Sequence, residues 1–227
     1  GVTFSGGVIG TTLTITDTAD AATVWFQDDL TVTSGMTVAA GGAYSVSITG
    51  ASNSIAGTTA FNNMGSVTVG DGSGDGTTFV GGVSATDPSV VSIAGTIGAT
   101  TGASTITLGD VDTGVSVTAS ANVGGAATGA IDLGDATLAD GATLAVGTGI
   151  ANAINLDAVT GTALGVVSGL TIDTTGVVNV AEAGGTDIGT VTVTQSGGVT
   201  FVSTVGAGTV TITDTADAAT VWFQDDL

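Results

Sequence analysis

Two groupings of oxygen-bearing side chains have the types and spacing to do chemistry. One is a pair of adjacent carboxylates, Asp28-Asp29, which recurs as Asp225-Asp226. Paired carboxylates act as acid and base or nucleophile on glycosidic bonds. The other is the run Asp71-Gly72-Ser73-Gly74-Asp75-Gly76. It sets Asp71, Ser73 and Asp75 at alternate positions, as in an EF-hand loop, with a glycine where that loop bends sharply. Hard oxygens so spaced can converge on calcium. Each grouping also has a plainer meaning. Neighbouring residues on a strand face opposite ways, so either carboxylate pair also reads as a solvated turn. The loop has Gly82 where an EF-hand places its bidentate glutamate, and no helical pattern flanks it. It therefore also reads as a solvated corner.

Composition removes most other chemistry. The chain has no Lys, Arg, His or Cys, and carries a formal charge of −20. The commonest general bases are missing, Ser-His-Asp and Cys-His sites cannot be built, and zinc lacks its usual ligands. Nucleic acid is not an expected partner, because no cation is present to displace counterions. No enzymatic activity is expected. No cofactor is required, and calcium is the one ligand the loop spacing suggests. Twenty like charges without a single ion pair need solvent ions for screening, which becomes effective at roughly 0.15 M salt and above. A salty, calcium-containing medium outside the cell or at its surface is the expected location. Hydrophobic residues make up 42% and charged residues only 9%, so the pattern is not that of a disordered acidic tail. No run approaches the ~18 apolar residues of a membrane helix, so no membrane insertion is expected. No basic region precedes an apolar run, so no signal peptide is expected.

The elements that must position these groups are read from repetition. Residues 14–30, TITDTADAATVWFQDDL, return unchanged as residues 211–227, an offset of 197. Laying residues 1–30 on 198–227 keeps 23 of 30 positions, with changes at 5, 6, 7, 9, 10, 11 and 13. The chain thus reads as one long unit, 1–197, followed by the start of the next, 198–227, within a larger array. Helix formers are scarce, 39 glycines are scattered throughout, and Thr and Val dominate. Short alternating runs recur, such as Thr105-Ile106-Thr107-Leu108 and Thr190-Val191-Thr192-Val193-Thr194. They put Thr on one face and an aliphatic residue on the other. Sixteen such runs are expected as strands, with Gly, Asp, Asn or Ser between most of them.

A finer echo runs inside the unit. Val67-Thr68-Val69-Gly70-Asp71, Ile106-Thr107-Leu108-Gly109-Asp110 and Ile131-Asp132-Leu133-Gly134-Asp135 share a strand followed by Gly-Asp, and Ile154-Asn155-Leu156-Asp157 shortens it. They start at positions 67, 106, 131 and 154. The last two intervals, in the twenties, fit one coil of a parallel β-solenoid. The longer first interval fits two short coils or one with an inserted loop. At ~4.8 Å per coil, eight to ten coils per unit would advance the rod roughly 40–50 Å. The expected fold is all-β, a parallel β-helix rod. Tandem β-sandwich domains are the alternative.

This texture of Gly-Asp-punctuated strands, Thr/Val/Ala/Gly bias, absent Cys and long near-identical repeats resembles the β-helical stalks of large secreted bacterial adhesins of the filamentous-haemagglutinin type. The resemblance implies a right-handed β-helix and a surface or matrix role. The expected function is a structural extracellular fibre or adhesin stalk whose partners are copies of itself and, through its carboxylates, divalent cations. Residues expected to carry self-assembly are Trp25, Phe26, Asp28 and Asp29 with their equivalents Trp222, Phe223, Asp225 and Asp226. On a strand the two aromatics of each pair face opposite ways, so one is expected in the core and the other outward as a lateral contact; burial of both beneath a loop is the alternative. An S-layer or sheath lattice protein and a carbohydrate-binding or -cleaving β-helix module are the alternatives from other classes.

Overall fold

The structure is a computed structural model that describes residues 1–16, 18–162, 165–184 and 187–227. Its described residues form 23 strands and no helix. All strand pairings are parallel, and each strand pairs with one roughly a coil earlier or later. The fold is a β-solenoid of about nine turns, as the repeat texture predicts. The sandwich alternative is excluded, because its sheets would be antiparallel and packed face to face.

Three sides make each coil. Side one stacks Val2–Phe4, Thr23–Phe26, Ser45–Ile48 and Val67–Val69, then the first parts of Val90–Ala99 and Gly114–Gly125, then Ala136–Leu138. Side two includes Ser52–Ile55, Gly76–Phe79, Thr143–Val146, Ser168–Asp173, Ile188–Gln195 and Thr209–Ile212. Side three includes Val83–Ala85, Ile106–Leu108, Ile131–Leu133, the first part of Val178–Ala183, Val199–Phe201 and Val221–Phe223. Along side one the register runs Val2, Val24, Val46, Val67, Val91, Val115, Ala136, Val159, Ala183, and each step is one coil.

The short sides follow from the in-out-in pattern. Val67–Val69, Val83–Ala85, Ile106–Leu108 and Ile131–Leu133 each bury their first and third residues and leave the middle one nearer solvent. Two inward residues per side from three sides give a thin aliphatic core, and like stacks on like as in the Ile106, Ile131, Ile154 column. Corners need backbone that turns within one or two residues. Gly95 shows why glycine serves there. Its φ is +72°, and a Cβ at that position would overlap the Asp75 carbonyl of the coil below.

Two readings of the sequence change. The four Gly-Asp echoes do not lie in one row. Ile106, Ile131 and Ile154 stack on side three, whereas Val67 pairs with Val46 and Val91 on side one. The long interval from Val67 to Ile106 is therefore one coil plus a passage to another side, rather than two short coils or an inserted loop. The strands also exceed the sixteen expected. Ser52–Ile55 is one of the additions, with Asn53 at an inward station. That buried amide accepts the Leu30 N–H at 2.9 Å, and donates to the Gly50 carbonyl at 2.7 Å and to Thr77 Oγ1 at 3.1 Å. Both its oxygen and its nitrogen are satisfied, as a core position demands.

Candidate functional site

The duplicated segment supplies the large side chains at both ends of the stack. In the first copy, Phe4 stacks on Phe26 with ring centroids 4.9 Å apart and planes 4° apart. In the second, Phe201 stacks on Phe223 at 5.0 Å and 7°. Phe26 is buried, and its neighbour Trp25 points outward with its Nε1 donating to Thr49 Oγ1 at 2.9 Å. Trp222 is likewise exposed, and Phe223 packs partly against the core. The alternation that a strand imposes thus puts one aromatic of each pair inside and one out.

Asp28 and Asp29 form a corner. Asp28 Oδ1 accepts the Asp29 N–H at 2.8 Å, while Asp29 Oδ1 reaches the next coil and accepts the Ser52 N–H at 2.8 Å. The same device recurs where Asp20 Oδ1 accepts from Ala43 N (3.2 Å) and Asp135 Oδ1 accepts from Ala158 N (3.0 Å). In all three the partner is one coil on, so each carboxylate staples one coil to the next. This interlocking of acids with coil length is invisible in the sequence until the coil period is known. Asp225 and Asp226 occupy the equivalent corner in the last coil and are exposed.

The loop carrying Asp71, Ser73 and Asp75 links side one to side two. Asp75 turns its carboxylate onto its own loop, where Oδ2 accepts the N–H groups of Asp71 (2.9 Å) and Gly72 (2.8 Å). Burial raises the Asp75 pKa, but those two N–H donors and a bond from the Asp71 side chain outweigh it, so the pKa falls below its ordinary value. Asp71 is raised, first by burial and then by the hydrogen bond and charge of Asp75. The two carboxyls interact with each other, and that of Asp75 is engaged by backbone. Among the described residues no group of three or more Asp or Glu is arranged to hold a metal ion.

A second acidic feature is not legible in the sequence. Asp110, Asp132 and Asp157, with Thr107 and Asn155, line a shallow groove of about 270 Å³ at the corner after side three. Asn155 Nδ2 donates to Asp132 Oδ1 at 2.6 Å, and Asn179 Nδ2 donates to Asn155 Oδ1 at 3.1 Å. The result is a side-chain ladder up the outside of side three. Half-buried Asp157 has its pKa raised, chiefly by burial and further by the charges of Asp135 and Asp110. Its carboxylate lies in a crowded negative field with no basic side chain in the chain to relieve it. The spacing of these aspartates signals the groove only once Ile106, Ile131 and Ile154 are known to stack.

Comparison with family models, with curated proteins and with solved structures returns no match.

Proposed function

We propose that this chain is part of a structural fibre or adhesin stalk at the outside of a cell, one that associates with copies of itself. The observation that supports this reading best is the way the duplicated segment enters the stack. Residues 198–227 form one more coil, with the same internal pairing as residues 1–30 and no cap between them and the coil below. A protein built this way lengthens by adding units, and its axial stiffness comes from continuous backbone hydrogen bonding. The acidic corners keep such rods apart in dilute salt. Divalent cations between carboxylates of neighbouring rods, together with outward Trp25 and Trp222, are the proposed lateral contacts.

Negative-stain electron microscopy of the protein with and without calcium tests the reading. Rods that bundle in calcium, separate on chelation or in low salt, and keep their β circular dichroism throughout are the expected result. Single compact particles under all conditions would overturn it. Flat two-dimensional sheets would replace it with the lattice protein, and turnover or retention of a glycan with the carbohydrate module.

A further inference from the structure

The two copies of the duplicated segment make the same local contacts on different sides of the rod. In both, the first strand lies on the strand one coil later, Val2 with Val24 and Val199 with Val221. Both also share the corner bonds: Val8 N to Asp29 O (2.8 Å) matches Val205 N to Asp226 O (3.0 Å), and Gln27 N to Phe4 O (2.9 Å) matches Gln224 N to Phe201 O (2.9 Å). Yet Val2–Phe4 belongs to side one and Val199–Phe201 to side three. From Val2, eight coils on side one end at Ala183. The chain then crosses side two in Ile188–Gln195 before Val199 joins Val178 on side three. The path from Val2 to its equivalent Val199 is therefore eight and two-thirds coils.

The open end of the stack shows what it fits. Val2 and Phe4 are 49% and 37% exposed, whereas their equivalents Val199 and Phe201 are 1% and 0% exposed. The difference is the coil beneath, whose Val178, Asn179 and Val180 pair with Val199, Thr200 and Phe201. The pocket at the open end is lined by Val2, Phe4, Leu13, Ile15, Val24 and Phe26 among others. Of those six only Leu13 differs between the copies, and its replacement Val210 is again aliphatic and again packs against the core. Another differing position, Ile9, is 83% exposed. The apolar side chains lining the open end are thus kept, apart from one aliphatic exchange, while Val202, Ser203, Gly206 and Gly208, which differ from the first copy, meet the coil below through backbone N–H groups.

We infer that the partner of this end is the Val178–Val180 coil of another copy of the same repeat, and that repeats so joined turn by one third of a revolution each about the rod axis. The inference rests on the fibre reading and adds its symmetry. It is physically permitted because register is fixed by coil length and by the in-out-in side, and all three sides share that pattern, so no side is reserved for one sequence. Each repeat rises ~42 Å, from eight and two-thirds coils at ~4.8 Å. The outward tryptophan then appears on the three sides in succession, and three repeats restore the original orientation. Lateral contacts made by that residue radiate in three directions instead of lining one face.

The test is a chain in which a second copy of residues 31–227 follows Leu227, imaged by cryo-electron microscopy beside the original chain. The expected map is one unbroken rod whose second repeat superposes on the first after ~42 Å of rise and about 120° of rotation. An unbroken rod without rotation would overturn the inference and leave the fibre reading standing. Two bodies joined by a break would overturn both. A second measurement uses the original chain alone, spin-labelled through Trp25→Cys and Trp222→Cys, since no native cysteine competes. The label separation should exceed the axial ~42 Å, because the labels leave different sides. A separation equal to the axial distance would put both on one side and overturn the inference.

Discussion

Residues 1–30 and 198–227 are nearly the same sequence in two settings. The first copy has a coil above it and none below; the second has a coil below and none above. Phe201 and Leu30 are fully buried, while their equivalents Phe4 and Leu227 are 37% and 73% exposed. Identical local pairing with different burial separates what a coil supplies to itself from what its neighbours supply. In a solenoid most apolar burial is between coils, so a residue's energetic weight depends on its place in the stack rather than on its type.

Substitutions at equivalent positions sharpen this comparison. The largest contrast is at the stacked rings. In a single, unassociated chain, Phe201→Ala should lower stability by ~3–5 kcal/mol, and Phe4→Ala by only ~1–2 kcal/mol, because part of that ring is in water there. Denaturant unfolding followed by circular dichroism reads both, and equal losses would break the comparison. Next come the leucines: Leu30→Ala should cost ~2–4 kcal/mol, and Leu227→Ala should stay within about 0.5 kcal/mol. At the corner, Asp29→Ala removes the acceptor of the Ser52 N–H and should cost about 1 kcal/mol. The equivalent Asp226→Ala should lie within about 0.5 kcal/mol.

The smallest effect belongs to a corner that neither copy contains. The folded state raises the pKa of Asp157 above 3.8, so its charge is penalised on folding at neutral pH. That penalty is relieved as pH falls through the raised value, and is gone below 3.8. Asp157→Asn should therefore stabilise the protein at pH 7 by about 0.2–0.5 kcal/mol, a small figure because solvent reaches this corner. The gain should disappear in acid, as pH-dependent melting temperatures would show. Asp75 has the opposite sign. Its lowered pKa contributes stability above 3.8 that is lost as pH falls through the folded value. A melting temperature for Asp75→Asn that differs from the parent at pH 7 and converges on it in acid is the expected outcome.

The strict alternation at residues 190–194 and 105–108 is readable in one dimension because period two survives in any half-buried strand. The Ile106, Ile131, Ile154 column is readable because one coil separates its members, so stacking leaves its mark as spacing. Val67 falls outside that row because Val-Thr-Val-Gly-Asp says nothing about which side of a three-sided coil it occupies. Ser52–Ile55 is hard to recognise because its inward Asn53 looks like a turn residue until Leu30, Gly50 and Thr77 are seen around it. The assembly residues divide in the same way. That Trp25 and Phe26 face opposite ways follows from strand geometry, but which of them is outside does not. The work of Asp29 as a staple requires knowing that Ser52 lies one coil away.

An all-β chain, a coil period in the twenties, a surface of one charge sign and a long unit that begins again at Gly198 all follow from the order of the residues. Each is a local or compositional property, legible without knowing which parts of the chain meet. Three further facts needed the folded coil: that it has three sides, that the second copy starts on a different side from the first, and that aspartates at the corners tie successive coils together. Those facts depend on where the backbone turns. Turning is set by contacts between residues about 23 apart in the chain, which no local pattern encodes.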